Sequence, residues 1–279
     1  MPIMGKMNDG GITMNTTDGV VISRVPFPSA HPAIKLWVVT YISQGLRVKG
    51  LLAEPQSDEK LDGFLYLRGG IKNVGQVRPG RIIQFASQGF IVFAPFYRGN
   101  RGGEGMEDFA GEDRYDAFAA YKVLERHAGV DAIHIFGFSR GGVMALWTAI
   151  ECPKAASLVT WGGVSDMALT YEERVDLRRM MKRVIGGTPL KYPERYEWRT
   201  PLYKTKQIDC PVLIIHGVKD RNVSVRHSEM LEEKLIQLDK DVECWYFTEY
   251  THYFPPQVNR QTVEKLAKWM KNQKRKMVK

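Results

Sequence analysis

The sequence predicts an α/β fold built on a doubly wound, mostly parallel sheet with an N-terminal antiparallel hairpin, and three observations carry that expectation. Short apolar runs recur along the chain: GFLYL around Phe64, FIVFA around Val92, IHIFGF around Ile135, SLVTW around Val159, VLIIH around Ile214 and VECWYF around Trp245. Residues that are apolar at successive positions have both faces covered, as strands between two helical layers do. Helical segments separate these runs, at about Arg81 to Ser87, Arg114 to His127, Arg140 to Glu151, Ser224 to Leu238 and Val258 to Asn272; such alternation fits right-handed crossovers. Ahead of them, LWVVTYI (Leu36 to Ile42) and LRVKGLLAE (Leu46 to Glu54) flank SQG, a hairpin signal.

Residues 1–35 are rich in Gly, Asn, Thr and Pro without a sustained period, and are expected as a loosely attached arm; residues 36–279 make one domain. In its last helix Val263, Leu266, Ala267 and Met270 fall on one face. Between SLVTW and VLIIH lies a charged, helix-like insertion, about 167–205, long enough to overhang the sheet edge where a substrate would arrive. No internal repeat or low-complexity linker divides the chain.

The 279 residues are 44% hydrophobic and 25% charged, the balance of a globular protein rather than a disordered one. The formal charge of +9 raises nucleic acid as a partner, but Lys271, Lys274, Arg275, Lys276 and Lys279 supply more than half of the excess from one terminal stretch. A frayed, solvated basic tail accounts for that better than a nucleic-acid groove. Cys152, Cys210 and Cys244 are odd in number and far apart, which fits buried thiols in a reducing compartment and neither a disulfide framework nor a metal site. With no signal-like h-region and no apolar run of bilayer length, the expectation is a cytoplasmic protein without a membrane partner. Edge strands and the insertion permit a homo-oligomer, though no stretch identifies an interface.

The residues that carry chemistry begin at GFSRG, Gly137 to Gly141, which fits G-x-S-x-G after a strand and before a helix. A sharp turn there would hold Ser139 in strained geometry, with glycine on either side because a side chain would collide with the neighbouring strand or helix. The N–H of Arg140, at the helix start, is free of intrahelical bonding and is available to an oxyanion. A serine at a helix start is more often an N-cap, so the nucleophile needs a base and an acid in the right order. GVKDRNV places Asp220 past one strand, and TEYTHYF places His252 past the next. Ser, Asp, His is the chain order of α/β-hydrolases.

Of the six histidines, His31 lies in the arm, His127 ends a helix, His134 is inside a strand, His216 ends one and His227 is helical, leaving His252 in a late post-strand loop. Asp166 in WGGVSD also follows a strand and is the rival acid; Asp220 is favoured because its loop directly precedes the last helix-strand unit. A second oxyanion donor is expected in LYLRGGIKN, where Gly69 and Gly70 let the backbone N–H groups turn toward the nucleophile, although alone the pair reads equally as a glycine turn. The acyl pocket is expected after WGGVSD, with Met167 and Tyr171 as candidates. FYRGNRGGEG could suggest a phosphate loop with Arg98 and Arg101 as ligands, but it lacks the P-loop lysine and reads as a structural loop. The chemistry calls for no metal and no organic cofactor.

Taken together, GFSRGG, FYRGNRGGEG, WGGVSDM, RTPL before CPVLIIHGVKDRNV, and THYF resemble the catalytic domain of the prolyl oligopeptidase family of serine hydrolases, peptidase family S9, from about Leu36 to the last helix. The resemblance implies an α/β-hydrolase fold that cleaves peptide, acyl-peptide or ester bonds, with Ser139, Asp220 and His252 as the triad and the N–H groups of Arg140 and Gly70 as oxyanion donors. It also implies a small peptide or acyl-ester substrate, a carboxylesterase being the alternative and a non-catalytic scaffold on the same fold a third reading. Three departures stand out. The β-propeller common in the family has no room in this chain, Arg68 occupies the histidine position of the H-G-G-P loop, and Thr251 replaces the usual glycine before the histidine.

Overall fold

The computed structural model describes residues 15–277, with side chains described through 273. All six apolar runs and both hairpin segments are strands of one nine-stranded sheet. In chain order these are β1 (Val21–Phe27), β2 (Ile34–Ser43), β3 (Leu46–Pro55), β4 (Leu61–Leu67), β5 (Phe90–Pro95), β6 (Val130–Phe138), β7 (Ser157–Trp161), β8 (Val212–Gly217) and β9 (Val242–Phe247). Across the sheet the order is β1-β2-β3-β5-β4-β6-β7-β8-β9. The first four neighbours pair antiparallel and the rest, from β5 to β9, parallel.

The helices divide between the two faces, and the strand period of two decides which residues meet them. Leu65, Leu67, Ile135, Leu158, Val212 and Ile214 pack with α2 (Arg114–Glu125), α3 (Gly141–Glu151) and α7 (Arg226–Gln237). Their neighbours Phe64, Tyr66, Phe136, Val159, Leu213 and Ile215 face the other way, onto α1 (Pro79–Ala86) and α8 (Pro256–Met277). Val263, Leu266, Ala267 and Met270 are the buried face of α8, as their spacing requires. Each large side chain so covered contributes about 1.5–3 kcal/mol.

Two expectations at the termini change. Residues 1–14 of the arm lie outside the described residues, but Val21–Phe27 is an edge strand, in register with β2 from Tyr41 to Leu36. Its exposed VISRVPF carries too little apolar periodicity to announce a strand; the ladder of β2 supplies the pairing. At the other end, α8 runs to Met277 rather than fraying, and Lys271 Nζ donates to Gln88 O (2.5 Å). Lys279 is outside the described residues.

The insertion after β7 consists of α4 (Met167–Glu173), a 3-10 turn at Val175–Leu177, α5 (Arg178–Met181), a π turn at Lys182–Gly186, α6 (Pro193–Glu197) and a 3-10 stretch at Pro201–Gln207. It leaves the carboxyl edge of the parallel strands, where βα loops converge and a site is expected. No described helix is long and apolar enough to cross a membrane.

Candidate active site

Ser139 joins β6 to α3 with a φ of +58°, in the left-handed region that residues with a side chain rarely adopt. Three backbone hydrogen bonds hold it there: its N–H donates to Trp161 O (3.1 Å), and its carbonyl accepts from Gly142 N (2.8 Å) and Val164 N (3.0 Å). A Cβ at Gly137 would run into the Gly141 carbonyl, and one at Gly142 would stand 2.6 Å from Gly163 Cα, so the turn tolerates only glycine there. Ser139 lines a cavity of about 560 Å³ together with Gly69, Gly70, Arg140 and His252.

The loops after β8 and β9 bring Asp220 and His252 together, with His252 Nδ1 2.6 Å from Asp220 Oδ2. Asp220 Oδ1 accepts from the N–H groups of Asn222 (2.8 Å) and Val223 (3.0 Å). Burial opposes its charge, but hydrogen bonding from His216 and His252 and the Val223 N–H outweigh burial and hold the carboxyl well below the usual carboxylate range. An ionised carboxylate only accepts, so Nδ1 of His252 donates to it, and in the neutral imidazole Nε2 is the accepting nitrogen. The Phe138 ring packs on the imidazole at 4.7 Å. Ser139 Oγ makes no hydrogen bond with that imidazole; the two groups share the cavity wall. Thr251 is exposed.

Asp166, the rival acid, is occupied elsewhere. It is the N-cap of α4, its Oδ1 accepting from Leu169 N (2.8 Å), and its Oδ2 receives Tyr203 OH at 3.4 Å. Three other histidines have partners elsewhere: His31 accepts from Ala33 N (3.3 Å), His127 meets Glu54 (2.8 Å) and His134 meets Ser157 (2.8 Å).

The Arg68–Gly70 loop beside Ser139 is held from beneath by buried charges that sequence reasoning did not single out. Gly70 has a φ of +66°, and a Cβ at Gly69 would lie 2.6 Å from Ser139 Cβ, so the loop presses its backbone against the serine. The N–H groups of Gly70 and Arg140 donate to no acceptor among the described residues. Arg68, at the position of the expected histidine, anchors the loop by donating to Gly69 O (3.0 Å), Phe96 O (2.9 Å) and Glu107 (3.2 Å). Glu107 in turn accepts from Lys72 N (2.8 Å) and Asn100 Nδ2 (3.0 Å) and pairs with Arg140. Burial opposes ionisation of Glu107, and the guanidiniums of Arg140 and Arg68 overcome it, keeping the group below its ordinary value. Arg140 also donates to Asp113 (2.8 Å); burial, with Asp108 and Glu107 nearby, pushes Asp113 up to about 7 against the pull of Arg140. Only the odd Arg68 hinted at this network in the sequence.

A second buried group braces the acid. His216 sits in β8 with Nε2 3.0 Å from Val223 O and 3.5 Å from Asp220 Oδ2, and Nδ1 2.6 Å from Ser228 Oγ. Nε2–H is shared between the carbonyl and Asp220, so the serine hydroxyl donates to Nδ1. Beside it, His227 Nδ1 accepts from Ser165 N (3.3 Å) and Asp166 N (3.4 Å), bonds that require an unprotonated nitrogen. Burial, followed by the neighbouring His216, lowers His227 to about 3, with Asp220 opposing. Between about pH 3 and 6.5 the unfolded chain therefore binds a proton that the folded one refuses. This contribution to stability is fully present above about 6.5 and drains as pH falls toward 3. Urea unfolding at pH 7 and pH 4.5 is expected to show His227→Asn losing less stability on acidification than wild type by about 2 kcal/mol. Equal losses in the two proteins would exclude His227 as the acid-sensitive group.

The pocket residues chosen from sequence are not the ones that line the cavity. Met167 is fully buried in the core at the start of α4, donating its N–H to Thr200 Oγ1 (3.0 Å), and Tyr171 packs on Tyr196 at 5.7 Å. Residues further along the insertion, Thr170, Leu177 and Met180, reach the cavity, with Val164 and Val223 from the neighbouring loops.

A serine in left-handed geometry between a parallel strand and a helix, at the sheet's carboxyl edge, defines the class: an α/β-hydrolase fold and a serine hydrolase. A sequence profile of the prolyl oligopeptidase family matches residues 76–276, and the chain belongs to that family. It is 65% identical over 256 residues to "Uncharacterized peptidase YtmA" of Bacillus subtilis (strain 168), across 91% of this chain and 100% of that protein. The acylaminoacyl peptidase of Pyrococcus horikoshii superposes with a TM-score of 0.73 at 23% identity, over 86% of this chain and 41% of that one. Acetyl xylan esterase 1 of a Thermoanaerobacterium species superposes with a TM-score of 0.69 at 14% identity, over 88% and 87%. At those identities the likeness to the two structures is one of fold, and the chain spans less than half of the acylaminoacyl peptidase.

Proposed function

We propose that this serine hydrolase cleaves short peptides or acylated peptides through Ser139, His252 and Asp220 and an acyl-enzyme intermediate. The observation that carries the proposal is the 2.6 Å Asp220–His252 hydrogen bond on the wall of the cavity that Ser139 lines. His252 Nε2 takes the Ser139 proton as Oγ attacks the acyl carbon, and Asp220 stabilises the imidazolium. The N–H groups of Arg140 and Gly70 receive the developing oxyanion. His252 then returns the proton to the leaving group, the carbon–nitrogen bond breaks, and water repeats the sequence to free the acid. Val164, Leu177, Met180 and Val223 form an apolar wall for the acyl side. A family relative named a peptidase at 65% identity supports amide rather than ester substrates.

Labelling with a fluorophosphonate tests the nucleophile. The intact protein is expected to label at Ser139, and Ser139→Ala to lose both the label and on the order of 10⁶ in kcat. Undiminished labelling of the variant would sink the assignment. Rapid turnover of acetyl esters with no cleavage of acetylated peptides would replace the peptidase reading with an esterase.

A further inference from the structure

Among the described residues, the cavity around Ser139 is lined by four arginines, Arg78, Arg81, Arg140 and Arg174, and by no aspartate or glutamate. Two of the four are neutralised, Arg140 by Glu107 and Asp113, and Arg174 by Asp176 at 2.7 Å. Arg78 and Arg81 have no ion-pair partner among the described residues. Arg81 is nevertheless well oriented. Its Nη1 donates to Gln84 Oε1 (2.7 Å) and Asn259 Oδ1 (2.8 Å), and its guanidinium lies over the Phe85 ring (4.6 Å) and the Trp161 ring (5.5 Å). These neutral contacts fix the plane of the group without cancelling its charge. Arg78 is exposed just ahead of α1, and Arg101, which also has no ion-pair partner among the described residues, donates to the cavity residue Gln76 (2.6 Å).

The position of Arg81 identifies which end of the substrate it meets. His252 protonates the leaving group in the proposed mechanism, so that group lies on the His252 side of Ser139. Arg81 is tied to this side twice: Asn259 belongs to α8, which begins just past His252, and Trp161 packs at 5.0 Å on Phe254, two residues past it. An excess of positive charge in a partly closed cleft favours an anion there, and a guanidinium of fixed orientation matches a carboxylate through two parallel N–H donors.

We infer that the leaving group is an amino acid or short peptide with a free α-carboxylate, gripped by Arg81 and drawn in by Arg78; this rests on the proposed role of His252. The carboxylate takes no part in bond making or breaking. The amide nitrogen leaves with the proton from His252, and the acyl group stays on Ser139 until water releases it.

The test compares kcat/KM for N-acetyl-Leu-Ala with that for its C-terminal amide, and for acetyl-leucyl-lactate with its lactamide, so that amide and ester chemistry are both covered. The free acid is expected to be preferred by at least about tenfold, the factor that one charge-assisted pair contributes. Arg81→Gln and Arg78→Gln should each lower the acid-to-amide ratio, the double variant should bring it near one, and Arg81→Lys should retain part of it. Equal kcat/KM for acid and amide in the wild type, or an unchanged ratio in the double variant, overturns the inference. Fluorophosphonate labelling of the same preparations separates the two readings: a labelled enzyme without acid preference loses only the carboxylate site, and an unlabelled one loses the catalytic assignment on which it rests.

Discussion

Asp220→Asn is expected to lower kcat by about 10⁴-fold, while Asp166→Asn stays within a few-fold of wild type. Both aspartates follow strands at the same sheet edge, and both are buried. Their surroundings differ in one decisive respect: Asp220 Oδ2 meets His252 Nδ1 at 2.6 Å, while Asp166 Oδ1 meets the backbone of its own helix. An asparagine at 220 can place its amide nitrogen against the imidazole, which reverses the tautomer and puts a proton on the nitrogen that must accept one from Ser139. An asparagine at 166 still accepts from Leu169 N and caps α4 about as well. Steady-state kinetics of the two variants decides the matter. A larger loss in Asp166→Asn would move the acid to the loop after β7.

Glu107→Gln is expected to cost about 3–5 kcal/mol of folding stability, a fall in Tm of roughly 10 °C, and to slow labelling of Ser139. Every polar neighbour of Glu107 is a donor: Arg68, Arg140, Lys72 N and Asn100 Nδ2. Whichever way the amide turns, its NH₂ faces another donor; Arg140 keeps only Asp113, whose own charge burial disfavours, and Arg68 keeps only the Gly69 and Phe96 carbonyls. The Lys72 N–H bond is the point where the loss reaches the oxyanion loop. Glu104→Gln is the comparison, because the Arg47–Glu104 pair is exposed and its removal should leave the melting transition in place. Equal transitions for the two variants would show that the buried cluster does not hold the loop.

The strands of the parallel half were legible because their burial is written into consecutive residues. Phe64 and Leu65, or Leu213 and Ile214, face opposite cores, so successive positions there are apolar. The edge strand Val21–Phe27 was not legible, since an exposed strand needs only a ladder to join and its side chains carry little pattern. Ser139 stood out for a local reason, the collisions that force glycine at Gly137 and Gly141. Glu107 and His216 gave no such sign: a buried charge or imidazole looks like any other polar residue until its partners, distant in the chain, are known. Met167 and Tyr171 failed as pocket residues because the direction of a side chain on a short helix over a sheet edge is set by packing.

By itself the sequence determined the strand and helix alternation, the sharp turn at Ser139 and the order in which serine, aspartate and histidine follow one another, all of which depend on neighbours a few residues away. The tertiary structure alone decided which carboxylate meets His252, what holds the oxyanion loop and which arginines remain without an acid in the cleft. Those are questions of pairing between residues far apart in the chain, and a hydrogen bond or an ion pair depends on distance in space.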